Sequence, residues 1–222
     1  MMTNLFSVFD PSSSILSLAW CVLLIPPVLL PLGMWKNISP QMNLLNELLS
    51  IFKKEVNFTL GKKEKGSNVL IMTAFLTILT LNFLALYPQV FSPTSQLATT
   101  LPLSLTFWVS LMMFGWAKNT SHMLSHLLPQ GTPAPLMMFM VMIEMISNMI
   151  RPITLCVRLT ANLIAGHLLM SLLGNSLLKL SSVMVMASII CPMLLTILES
   201  AVACIQAYVF MTLITLYTTE LK

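Results

Sequence analysis

Five stretches of this chain are apolar over lengths that matter to a membrane, and they come in two kinds. Three are of ordinary spanning length, residues 14–34, 68–87 and 98–117, close to the ~20 residues that a helix needs to cross hydrocarbon. The first is crossed by Pro26, Pro27 and Pro31, which kink it or end it early because proline lacks the N–H and clashes with the preceding turn. The other two stretches, 135–178 and 181–217, are much longer. As one helix the first of them would reach about 66 Å at about 1.5 Å per residue, against about 30 Å of hydrocarbon. Breaking it at Pro152 would leave only Pro135 to Arg151 upstream, short for a span and ending in a charge. The pattern therefore predicts a single kinked, strongly tilted helix. Its successor, with Pro192 in its first third, poses the same problem and suggests the same solution. The expected fold is an all-α polytopic membrane protein of about five embedded helices, the last two forming a long, tilted antiparallel hairpin.

Residues 35–67 form the one sizeable polar stretch. Ser39-Pro40 reads as a helix N-cap followed by proline at the first helical position. Leu45, Leu48, Leu49, Phe52 and Val56 follow at helical spacing, which predicts an amphipathic helix lying in the interface with its apolar face down. Lys36, Lys53, Lys54, Lys62, Lys63 and Lys65 cluster here, and the positive-inside rule puts this loop on the synthesis side. With five spans Lys118 and Lys222 fall on that side too, leaving only Lys179 opposite and the N-terminus outside. The N-x-S/T sequons at Asn37, Asn57 and Asn119 then face inward and are expected to carry no glycan.

Composition agrees. Of 222 residues, 57% are apolar and 8% charged, where soluble domains carry about 25% charged residues; mean hydropathy is +0.89. That excludes a water-soluble globule, a disordered tail and a disulfide-built scaffold. A net charge of +4 from so few basic residues, placed for topology, gives no reason to expect nucleic acid. Cys21, Cys156, Cys191 and Cys204 all lie in apolar runs without a C-x-x-C pair and read as reduced thiols. The 19 methionines fit a genetic code with extra Met codons, as in animal mitochondria. The N-terminal MMTNLFSVFDPSSS has neither a basic n-region nor an Arg-rich amphipathic pattern, so no signal or transit peptide is expected. No G-x-x-x-x-G-K-[ST] phosphate loop is present, and no internal repeat of the kind found in inverted-repeat transporters.

Ionisable side chains inside spans are costly and mark function by default. Here they fall in the last two helices: Glu144, Arg151, Arg158, His167 and Glu199, with Glu220 at the exit. Glu144, Arg151 and Arg158 are spaced by seven, as are Glu199, Gln206 and, two steps on, Glu220. Such residues drift only about 20° per step, so each set makes one stripe. Facing residues of an antiparallel hairpin have numbers adding to a nearly constant value. Arg158 with Gln206, Glu144 with Glu220, and His167 with Glu199 all satisfy one value to within two, implying a turn near Ser182. His167 lies about 900° of turn beyond Arg158, on the opposite face of a regular helix. A carboxylate at one end, a permanent cation at mid-depth and a His/Glu pair at the other suggest a proton path interrupted by a cation, since arginine does not release its proton while His and Glu titrate usefully once burial and partners shift them.

Simpler roles exist for each. Arg158 could be a structural cation neutralised by Glu199 or Glu144; His167 could be an interhelical hydrogen-bond donor; Arg151 could snorkel or pair with a glutamate; Glu220 could be a solvated terminus. His122 and His126 stand at i,i+4 but lack a third ligand, so no metal is expected. Ala161, Ala165, Gly166, Ala201, Ala203 and Ala207 suit close helix packing.

HMLSHLLPQGTPAPL (122–136), IEMISNMIRPITLCVRLTANLIAGHLLMSLLG (143–174) and ILESAVACIQAYVFMTLITLY (197–217) closely resemble the subunit a family of animal mitochondrial F-type ATP synthases. The V-R-L-x-A-N-x-x-A-G-H core at 157–167 is highly specific, and the likeness runs over the whole chain. It implies a proton-conducting stator subunit in the mitochondrial inner membrane, N-terminus toward the intermembrane space and C-terminus toward the matrix. It implies no catalysis by this chain alone, no cofactor and no bound nucleotide. The implied partners are a rotating c-subunit ring, other stator subunits and inner-membrane lipid. Matched residue by residue, Arg158 is the essential arginine facing the ring, with Asn162 and Gln206 flanking it. His167 and Glu199 belong to the intermembrane-space path, and Glu144, with Glu220, to the matrix path. A stand-alone proton or ion channel or transporter is the competing expectation, and a purely structural subunit of a respiratory complex a third.

Overall fold

The computed structural model describes residues 9–12, 18–29, 40–61, 65–87, 90–118, 120–126, 134–177 and 190–220. All regular structure among them is helical. A 3-10 segment, Leu18–Leu24, runs into α1 (Ile25–Leu29); then come α2 (Pro40–Leu60), α3 (Lys65–Ala85), a 3-10 turn Pro93–Ser95, α4 (Leu97–Lys118), α5 (Thr120–His126), α6 (Ala134–Leu177) and α7 (Ile190–Glu220). Four of these are long and apolar enough to cross a membrane: α3, α4, α6 and α7. Of the expected first span only 18–29 is described, and the expected hairpin turn near Ser182 lies outside the described residues. The all-α polytopic architecture stands, and the count of spans is approximate.

The 44 residues of α6 form one continuous helix with Pro152 inside it. Proline removes one i→i−4 hydrogen bond; here its ring is buried, so packing offsets part of that loss. At about 1.5 Å per residue α6 is about 66 Å long, roughly twice the hydrocarbon thickness. Apolar along nearly all of that length, it must lie strongly inclined. Helix α7 has 31 residues, about 46 Å, and packs against both α6 and α3.

The core lies where α2, α3, α6 and α7 converge: Val56 and Leu60, Ile71, Phe75 and Ile78, Leu155 and Leu159, and Ala207, Phe210 and Ile214. In α3 the buried set recurs at three and four residues, the mark of one helical face. Hydroxyls that would be orphaned in apolar surroundings turn back onto their own helix, as Thr77 does to the Ala74 carbonyl at 3.0 Å and Thr215 to that of Thr212 at 2.7 Å, a habit of Ser and Thr in membrane helices.

Helix α2 is more firmly docked than a free interfacial helix. Phe52 meets the Phe75 ring at 4.9 Å, Asn68 of α3 donates to the Asn57 side chain, and the Tyr208 hydroxyl of α7 donates to Glu55 Oε1 at 2.6 Å. Gly61 ends the helix at φ +81, with its N–H on the Asn57 carbonyl at 3.1 Å; this left-handed C-terminal cap is one that glycine adopts without strain. Lys53 and Lys54 are exposed on the outer side. A hydrogen bond to a charged group contributes upward of ~1 kcal/mol, so Tyr208→Phe is expected to raise the tryptic cleavage rate at Lys53 and Lys54 about fivefold. Peptide mapping of the intact complex checks this; an unchanged rate would show that the tether does not hold α2.

Candidate functional site

Helices α6 and α7 run antiparallel, and the contacts between them fix their register. Gln206 Nε2 donates to the Arg158 carbonyl at 2.9 Å. Eight residues further along α6, a Cβ on Gly166 would lie 2.7 Å from Glu199 Cδ, so the Glu199 carboxyl sits directly against the bare backbone of Gly166. At the other end the Arg151 guanidinium stands 5.3 Å from the Tyr217 ring centre. One register, in which the paired numbers have an almost constant sum, satisfies all three contacts.

Three groupings of polar residues lie along this pair. In the first, toward the start of α7, Glu199 is only 7% exposed and its Oε1 has no hydrogen-bond partner among the described residues. The His167 ring donates to the Ala85 carbonyl on α3, while its Nε2 is buried without a partner. Asn82, one turn before Ala85, is 0% exposed, and both ends of its amide are orphaned. A buried polar atom without a partner costs ~1–3 kcal/mol, and such atoms are met in proteins by ordered water. Among the described residues, then, three helices each contribute a buried polar side chain with an unpartnered atom.

The second grouping is Arg158 with its neighbours. Arg158 and Asn162 are exposed on one face of α6, whereas Gln206 is 5% exposed between the helices. Among the described residues no carboxylate lies within ion-pair distance of Arg158. The surrounding surface is apolar and partly small: Val157 and Ile205 are 48% and 59% exposed, and Ala161, Ala165 and Ala201 are exposed too. Among the described residues those three alanines are not packed against another helix, in contrast to the expectation from their size, whereas Ala203 and Ala207 are buried and Gly166 lies against Glu199.

In the third grouping Arg151 pairs with Glu144 at 3.9 Å, each side chain about a third exposed. At that distance and exposure the pair adds at most ~1 kcal/mol. It takes Arg151 and Glu144 as partners of one another and removes Glu144 as a neutraliser of Arg158. Glu220 is the last residue of α7, but its side chain lies outside the described residues, as do those of His122 and His126 on α5. Among the described residues no group of three or more His, Cys, Asp or Glu could hold a metal.

Sequence reasoning passed over Asn82, Phe9 and Gln96. The amide of Asn82 inside an apolar run is itself a signal, since polar side chains in spans are costly. Phe9 and Gln96 give none: the Phe9 ring stands edge-on to His167 with centres 6.0 Å apart, and Gln96 Nε2 donates to the Phe9 carbonyl at 2.8 Å. The next residue, Asp10, is exposed, and the Ser12 backbone N–H holds its carboxyl below the usual range.

Long apolar helices with carboxylate, imidazole and guanidinium groups set among them define an integral membrane protein of the all-α polytopic class, with titratable groups held at spanning depth. A family model described as the ATP synthase A chain matches residues 14–219. ATP synthase subunit a of Locusta migratoria is 49% identical over 223 residues, covering 99% of both chains. Subunit a of Artemia franciscana is 48% identical, covering 99% of this chain and 100% of that protein, and that of Drosophila melanogaster is 48% identical over the full length of both. The chain belongs to the ATP synthase subunit a family, of the animal mitochondrial type.

Proposed function

We propose that this chain is the stationary proton-conducting subunit of the membrane sector of a mitochondrial ATP synthase, non-catalytic by itself, passing protons through two offset half-channels to and from carboxylates on a rotating ring of c subunits. The observation that carries this is Arg158: a permanent cation with no anion beside it among the described residues, exposed on an apolar face among small residues. An unpaired guanidinium facing hydrocarbon is expensive, and the cost disappears if a partner bearing a carboxylate covers that face. Among the described residues no such acid lies there, which supports an acid supplied by another polypeptide.

The path then runs as follows. Protons from the intermembrane space reach the hydrated interior at His167 and Glu199 and pass to a ring carboxylate. Arg158, flanked by Asn162 and Gln206, draws each arriving ring carboxylate into its ionised form and, because it cannot give up its own proton, keeps the two half-channels apart. On the far side Glu144 and Glu220 lead protons to the matrix. The whole of 1–222 acts as one membrane domain, with spans at 14–34, 68–87 and 98–117, the in-plane helix within 35–67, and the tilted hairpin 135–178 and 181–217. It sits in the mitochondrial inner membrane with its N-terminus in the intermembrane space and C-terminus in the matrix, against other stator subunits and lipid, and needs no cofactor, nucleotide or nucleic acid of its own.

Vesicle reconstitution tests the division of labour. The assembled membrane sector is expected to dissipate an imposed pH gradient, and this chain without the ring is expected to leave the gradient at the rate of empty vesicles. Conduction by the chain alone would identify a self-contained channel and overturn the proposal.

A further inference from the structure

We propose that Phe9, pinned by Gln96, is a positioning residue that caps His167 and turns its Nε2 into the hydrated interior between α3, α6 and α7. Two contacts hold the imidazole. One ring nitrogen donates to the Ala85 carbonyl. The ring stands perpendicular to that of Phe9, at an interplanar angle of 89° and a centroid distance of 6.0 Å, the edge-to-face arrangement that aromatic pairs favour. Nε2 is left, fully buried and without a partner among the described residues, as are polar atoms of Glu199 and Asn82.

Phe9 reaches His167 from 158 positions away in sequence, and something must hold it. The Gln96 amide does so, donating to the Phe9 carbonyl at 2.8 Å. Gln96 is itself placed by the Pro93–Ser95 turn, whose residues are buried and tied by the Ser92–Ser95 hydroxyl contact of 3.0 Å. The cap is therefore mounted on a rigid corner beside α3. An apolar ring there covers one side of the imidazole. This deepens the proton-path proposal and rests on it for the meaning of the cap.

The test uses the assembled complex in vesicles, with diethyl pyrocarbonate as the probe and mass spectrometry of the peptide carrying His167 as the readout, normalised to complex content. Phe9→Ala is expected to speed modification of His167 at least fivefold. Gln96→Leu should act in the same direction, and the double variant should exceed Phe9→Ala by little, because both remove one device. Phe9→Tyr should retain the protected rate. Equal labelling in the parent and Phe9→Ala, or a Phe9→Tyr variant that labels like alanine, would overturn the cap. Labelling does not depend on conduction. If the cap behaves as expected while His167→Ala conducts protons normally, the cap stands and the inlet role of His167 falls.

Discussion

Arg158→Leu is expected to abolish proton-driven ATP synthesis in vesicles while the complex remains assembled at its normal amount. The side chain is exposed and makes no ion pair among the described residues, so its removal costs the fold little; the Gln206 bond goes to the Arg158 backbone carbonyl and survives the substitution. What vanishes is the fixed cation. On the proposed mechanism, a neutral leucine gives a ring carboxylate no reason to ionise as it passes, and nothing then stops a protonated acid from carrying its proton straight across. Coupled synthesis should fall below detection, and Arg158→Lys should rescue it only in small part, since an ammonium is a compact, more strongly hydrated charge without the planar fork of guanidinium. Blue-native electrophoresis gives assembly, and luciferase detection gives synthesis. Substantial synthesis by Arg158→Leu would refute the motor assignment; loss of the assembled complex would show instead that Arg158 is a structural cation.

Gly166→Ala is the second large effect, and it separates folding from function. The added Cβ would meet the Glu199 carboxyl, with Cδ at 2.7 Å and Cγ at 3.2 Å. Because the obstacle is the end of a side chain, the helices need not part; the carboxyl moves instead. Misplacing a reacting group by about 1 Å can cost on the order of a hundredfold, so proton conduction by the membrane sector should fall by about that factor with assembly and thermal stability nearly unchanged. Glu199→Gln should give a comparable loss, since its amide cannot carry the proton. Unimpaired conduction in Gly166→Ala would remove Glu199 from the path.

Much of this architecture could be read from the residues. Apolar lengths gave the all-α class, and heptad spacing with a constant sum placed Arg158 opposite Gln206, where the structure has the Gln206–Arg158 bond, and His167 opposite Glu199, where the residue that meets Glu199 is the adjacent Gly166. Periodicity reports faces, and faces sufficed there because both partners lie on long regular helices. It does not report partners that are backbone atoms, such as the Ala85 carbonyl on His167. Nor does it bring distant segments together, as at Phe9 and His167 or Glu55 and Tyr208. The outward turn of Ala161, Ala165 and Ala201 has a similar cause: small size suits close approach, but whether the approaching surface belongs to the same chain is not written in the residue.

The inclination of α6 has a consequence for how the membrane field is used. Seven residues advance about 10.5 Å along a helix, but a helix about 66 Å long held within about 30 Å of hydrocarbon descends only about 5 Å over that distance. Successive members of the Glu144, Arg151, Arg158 stripe are thus displaced about twice as far sideways as in depth. At ~2.3 kcal/mol per charge for each 100 mV across the full thickness, one such step spans about a sixth of the voltage, or ~0.4 kcal/mol. The fixed charges of that stripe therefore sample little of the transmembrane voltage between them, and their separation lies mainly in the plane of the bilayer.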